Sequence, residues 1–118
     1  MATTNIKPRS ALLAAMPYQI EVNLKTLGRN LRIARLRRNL TTAEVGEKIG
    51  TSRYAIADAE KGKPSTSMAI YAALMWAYGL TDQLAELADP SRDAEGAALG
   101  LNQERLRARH RRKLNNEF

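Results

Sequence analysis

The residue types able to work on a surface gather in one short run, Thr51, Ser52, Arg53 and Tyr54. Two hydroxyls, a guanidinium and a phenol can hydrogen-bond, and the last two can also stack. This is the chemistry of recognition: an Arg can donate two bonds to a guanine edge, and a Tyr can meet a thymine methyl or a phosphate. A capped helix start facing solvent is the plainer alternative for the same four residues. The groups that covalent catalysis would require are missing. There is no Cys, the single His (His110) lies in an Arg run with no carboxylate or nucleophile beside it, and no glycine-rich phosphate loop or metal-ligand cluster occurs. No catalytic residue, cofactor or metal is expected, and an enzyme is the least supported class.

To act together, these side chains must sit at the exposed start of a helix, and the surrounding pattern supplies one. Thr41 or Thr42 can cap a helix running to about Ile49, with Val45 and Ile49 inward and Glu44 and Glu47 near its positive end. Gly50 permits the left-handed backbone of a tight turn. Thr51 or Ser52 caps the next helix, which turns Ile56, Ala59 and Glu60 toward the body and Arg53, Tyr54, Ala57 and Asp58 outward. Gly62 ends it, and Lys63-Pro64 imposes an extended exit. Thr42 to Gly62 thus reads as a helix, a turn and a second helix, the layout that places a reading helix in the major groove of DNA.

The rest of the chain looks like scaffold and flanks. Pro17 suits a first helical turn, and Leu24, Leu27, Leu31, Ala34 and Arg38 recur at three- and four-residue steps, predicting a long helix with Lys25, Arg29, Arg32 and Arg37 on a basic outer side. That basic side is either a solvated face or a phosphate contact. Asn39 is a plausible stop and Leu40 a core anchor. Ser65 to Ser67 caps a helix carrying Met68, Tyr71, Leu74 and Tyr78 inward, and Thr81-Asp82 opens a last one with Leu84 and Leu87 inward. Before them, residues 1–8 lack periodicity and are expected to wander, while residues 9–16 can form a short helix capped by Ser10. After Asp89-Pro90, residues 89–100 read as a linker, and the Arg-rich remainder as a solvated helix or disordered tail. The expected division is an arm over 1–17, a helical domain over 18–88 and a linker with a basic tail over 89–118.

Composition agrees with a small all-α domain. Of 118 residues 44% are hydrophobic yet only 5% are aromatic, so the core must be aliphatic. The formal charge of +7 favours a polyanionic partner, nucleic acid ahead of a membrane surface. Residues 1–50 hold nine basic and three acidic side chains, residues 51–101 four and seven, and residues 102–118 six and two, so basic ends flank an acidic middle. The lack of Cys, of an apolar run of about 20 residues and of a signal-like N-terminus makes a cytoplasmic protein without a membrane partner the expectation.

On these motifs, Leu27 to Leu87 resembles the Cro/C1-type (XRE family) helix-turn-helix domain of phage repressors and bacterial regulators, through LGRNLRIARLRRNLT, TAEVGEKIG, SRYAIADAEKG and GLTDQL in register. The resemblance implies a five-helix lambda-repressor-like fold and double-stranded DNA as partner. It implies an ion pair between Arg35 and Glu60, a phosphate contact at Thr42, readout from Thr51, Ser52, Arg53 and Tyr54, and backbone contacts from Lys61 and Lys63. Gly46 departs from the family's usual Ala and is expected to loosen the packing between the two motif helices. Asp58 faces the DNA side, where a carboxylate must accept from a cytosine amino group or pair with a neighbour. The flanks, a short Ala/Leu arm and DPSRDAEGAAL before a basic tail, are similar to antitoxin regulators that partner HipA-like toxin kinases.

Half-sites on DNA call for a homodimer, and Trp76, lying off the Met68–Tyr71–Leu74 stripe, is read as an interface residue with Ile70, Leu84 and Leu87; the rim of the monomer core is its other possible place. The functional expectation is a sequence-specific repressor, either the antitoxin of a HipA-like module or a stand-alone or prophage regulator. A protein-interaction module that has lost specific DNA binding is the competing class.

Overall fold

The computed structural model describes residues 10–116, which form helices and no strand. The expectation for residues 1–8 lies outside the described residues. These divide into two compact units between Leu84 and Ala85.

In the first unit each helix begins and ends where its local chemistry dictates. Helix α1 (Ala11–Ala14) is a single turn whose first amides are held by Ser10, with Oγ accepting from the Leu13 N–H at 3.3 Å. Helix α2 (Tyr18–Arg37) starts directly after Pro17 and buries Gly28, Leu31 and Ala34 along one stripe. Arg38, assigned to that stripe from its spacing, instead lies just past the helix end. Its guanidinium donates to the Ala34 and Tyr78 carbonyls at 2.8 Å each and lies 5.5 Å from the Tyr78 ring centroid, lashing the ends of two helices together. Asn39 takes a left-handed conformation and turns the chain.

Helix α3 (Thr42–Ile49) carries a complete capping box. The Thr41 hydroxyl accepts from the Glu44 N–H and the Glu44 carboxylate accepts from the Thr41 N–H, both at 3.1 Å. Gly50, at φ 80°, makes the turn into helix α4 (Arg53–Glu60), which Ser52 caps by accepting from the Ala55 N–H at 3.2 Å. Helix α5 (Met68–Ala77) is capped by Ser67, and the short α6 (Thr81–Ala85) follows.

The core these helices enclose is Leu31, Ala34, Val45, Ile56, Ala59, Tyr71, Leu74, Met75 and Tyr78, with Leu27, Leu40, Ile49, Ile70 and Leu84 packed partly against it. Ile56 and Leu74 are wholly inaccessible, so truncating either to Ala should cost about 2–5 kcal/mol. Two inward assignments are corrected. Met68 is exposed in the first turn of α5, where the chain has only just reached the body, and Met75 takes the core position one turn beyond Tyr71. Leu87 is exposed, past the end of α6 at Ala85. Tyr78 is buried with its hydroxyl unpartnered among the described residues; burial above all, helped by the Glu60 carboxylate, pushes its pKa up to about 12.

In the second unit, residues 89–100 take regular structure. A 3-10 turn at Pro90–Arg92 leads into helix α7 (Ala94–Asn116). Two Asx-type bonds build this entry: Asp89 Oδ1 accepts from the Ser91 N–H and Asp93 Oδ1 from the Gly96 N–H, both at 2.9 Å. Asp, Pro and Gly were read as chain breakers, whereas here they are start signals and the helix runs through Gly96 and Gly100.

No helix of the described residues is long and apolar enough to cross a membrane. Among those residues no cluster of three or more His, Asp or Glu could hold a metal ion.

Candidate nucleic-acid interface

The site begins with the rotation of α4 about its own axis. Ile56 and Ala59 have no accessible surface, so the helix can present only its opposite side, and that side carries Arg53 and Tyr54. Both are exposed, and they engage each other: Arg53 Nη2 donates to the Tyr54 hydroxyl at 3.0 Å, and the guanidinium carbon lies 5.0 Å from the ring centroid. The pair presents a guanidinium and a phenol side by side at the start of the helix. Ser52 is occupied as the cap, its hydroxyl proton remaining free to donate. Thr51 is half-buried in the turn, its N–H bonded to the Gly46 carbonyl at 2.8 Å.

Gly46 does not loosen this turn. A Cβ there would lie 2.7 Å from the Thr51 carbonyl oxygen and 3.3 Å from the Arg53 nitrogen, so the missing side chain is what lets the turn close onto α3. Gly28 does the same on α2, where a Cβ would fall 2.6 Å from the carbonyl oxygens of Ala59 and Glu60. The end of α4 is thereby drawn onto α2, and Glu60 meets Arg35.

Beside that contact is a cleft lined by Arg32, Arg35, Thr42, Ala57, Glu60 and Lys61. Arg35 is neutralised by Glu60 at 2.8 Å, leaving Arg32 and Lys61 as exposed cations in no ion pair among the described residues. With Thr42 in the first turn of α3, they make a cradle whose hydroxyl and two positive charges suit a phosphate. Thr42 and Lys61 were candidates from the resemblance. Arg32 joining them was readable only as one cation of the basic side of α2, and its place three residues before Arg35 was the signal that it points the same way.

Lys63 is engaged differently. Its Nζ lies 3.1 Å from Asp58 Oδ1, with both side chains about half exposed. Asp58 therefore pairs with a neighbour, and its charge is offset. An exposed pair of this kind adds little stability, and either partner can exchange it for another contact.

Of the four residues read as a dimer interface, Trp76 and Leu87 are exposed, while Ile70 and Leu84 are half-buried against the core. Lys48 lies 5.9 Å over the Trp76 ring, so one face of the indole is covered within the chain. His110 is exposed on α7.

Among protein families, a helix-turn-helix domain matches residues 26–88, just over half of the chain. Neither the curated proteins nor the solved structures contain a match. The matched segment holds α2 from Thr26 onward and all of α3 to α6, with the Arg53–Tyr54 pair and the cleft inside it. The chain belongs to the helix-turn-helix domain family, the architecture of DNA-binding regulators.

Proposed function

We propose that the protein is a sequence-specific transcriptional repressor that binds double-stranded DNA as a homodimer through the major groove. The observation that carries this reading is the exposed Arg53–Tyr54 pair at the start of α4, next to the Arg32, Thr42 and Lys61 cradle. One group reads base edges while the other grips the backbone, the division of labour of specific DNA recognition. The order of α2 to α6 suits the five-helix lambda-repressor-like arrangement that the resemblance implies. Repression then follows from occupying an operator rather than from catalysis, with two α4 helices in major grooves about one helical turn apart. Exposed Trp76 and Leu87 support a contact between two copies.

In the fuller form of this reading the protein is the antitoxin and autorepressor of a HipA-like kinase, supported by its Ala/Leu arm and basic C-terminal segment. A kinase-like open reading frame beside its own gene is the expected finding, and its absence leaves a stand-alone or prophage repressor.

The test is fluorescence anisotropy against labelled genomic upstream fragments at low and high salt. One fragment should be preferred, with a preference that persists as salt rises. Steep salt dependence with no preferred fragment would sink the specific-repressor reading. Absence of binding at either salt would favour a protein-interaction module on the same fold.

A further inference from the structure

Helix α7 lies outside the matched domain and carries six cations within nine residues, Arg105, Arg107, Arg109, Arg111, Arg112 and Lys113. All six are exposed, and none enters an ion pair among the described residues. Helical spacing sorts them into two sets. Arg105, Arg109, Arg112 and Lys113 share one side, at steps of three and four, and Arg107 and Arg111 lie opposite. Arg105, Arg109 and Arg112 also line one shallow groove along the helix with Asn102 and Leu106.

Such a density of unpaired like charge makes three occupants unequal. A second copy of α7 laid along this segment would face cation with cation in either direction, which repels. A membrane surface wants a continuous apolar face opposite the charges. Here Leu106 and Leu114 are separated by His110 and flanked on both sides by cations. Duplex DNA fits both sets at once: a helix about 10–12 Å across matches a major groove about 12 Å wide, and the phosphate rows on its two walls meet cations on opposite sides of the helix.

We propose that α7 is a second DNA-binding element, which seats Arg105 to Lys113 between the phosphate rows of a duplex without regard to sequence. It goes beyond the repressor reading and shares with it only the identity of the polyanion. Its role is to hold the protein on DNA of any sequence.

The test uses the full chain and random-sequence duplex DNA, with affinity measured across a salt series. In a variant carrying R105Q, R107Q, R109Q and R112Q, log affinity should depend on log salt less steeply by about 3.6, four lost phosphate contacts at about 0.9 each. Low-salt binding to every duplex should weaken alike. The matching variant with the same four residues changed to Lys keeps the charge and should keep the slope, which separates charge from any disturbance of the helix. An R53A variant should leave the random-duplex slope within about one of the parent. An unchanged slope in the Gln variant, an equal loss in the Lys variant, or tighter binding to phosphatidylserine vesicles than to duplex DNA at the same salt would each overturn the proposal. If a parent chain without sequence preference still loses slope in the Gln variant, the proposal stands and the specific-repressor reading fails. A preferred fragment with no change of slope gives the reverse.

Discussion

Glu60, at the last turn of α4, receives three hydrogen bonds from Arg35 on α2: Nε donates to its two carboxylate oxygens at 3.0 and 3.2 Å, and Nη2 to Oε1 at 2.8 Å. Arg35 spends its remaining reach on the Leu40 carbonyl, 2.8 Å away in the connection to α3. One guanidinium thus joins the three elements that surround the phosphate cradle. The side chains are only 11% and 7% exposed, so neither charge can fall back on water.

Removing one partner therefore leaves a buried, uncompensated charge. Glu60→Ala or Arg35→Ala should each cost about 3–5 kcal/mol in urea denaturation, while replacing both by apolar residues of similar volume should recover most of that loss. If the two single losses simply add in the double variant, the pair is not coupled.

Gly62 and Gly50 share a left-handed backbone, at φ 70° and 80°, and differ in what surrounds them. A Cβ on Gly50 meets nothing within 4 Å, whereas one on Gly62 would lie 2.5 Å from the Leu24 carbonyl oxygen. Gly50→Ala should cost roughly 1–2 kcal/mol for the backbone alone, and Gly62→Ala distinctly more, because α2 must move away from α4. Thermal unfolding of the two variants side by side reads the difference.

Arg53→Ala should narrow the gap between preferred and random fragments by about 1–3 kcal/mol, since in the proposed function Arg53 is the base-reading group. Lys61→Ala should weaken all fragments alike and reduce the salt slope by about 1. Tyr54→Phe keeps the ring and deletes the hydroxyl that holds Arg53, so its effect should fall on the fragments that Arg53 distinguishes. Competition binding with preferred and random duplexes checks all three.

Asp58→Asn should strengthen binding to every duplex and steepen the salt slope by about 1, because Lys63 is released from its 3.1 Å partner and a negative charge leaves the DNA-facing side. No change in slope would place Lys63 away from the phosphates.

The Tyr78 hydroxyl is held neutral to a higher pH in the folded chain than in the unfolded one, about 12 against 10.0. The folded state thus binds the proton more tightly, so this contribution to stability is fully present below pH 10 and is lost as pH rises from 10 toward 12. Tyr78→Phe should abolish that alkaline loss. It should also leave stability at neutral pH unchanged or raised by about 1 kcal/mol, because the deleted hydroxyl has no partner to lose. Urea denaturation at neutral and alkaline pH measures both effects.

The local grammar was open to reading without a structure. A cap at Ser10, one within Thr51–Ser52 and one within Ser65–Ser67, the Gly50 turn and the spacing of Leu27, Leu31 and Ala34 are short-range effects that a few neighbouring residues determine, and with them came the helix-turn-helix and its exposed Arg53–Tyr54 start. What tertiary structure alone decided was contact across distance. Spacing could not tell that Met68 lies outside the body and Met75 within it, or that Gly28 and Gly46 are gaps into which other backbone fits. Nor could it tell that Arg32, Thr42 and Lys61 share a cleft while Lys63 turns to Asp58. Periodicity reports which side of a helix is apolar. Which helix covers that side, and how closely, depends on packing among segments far apart in the chain.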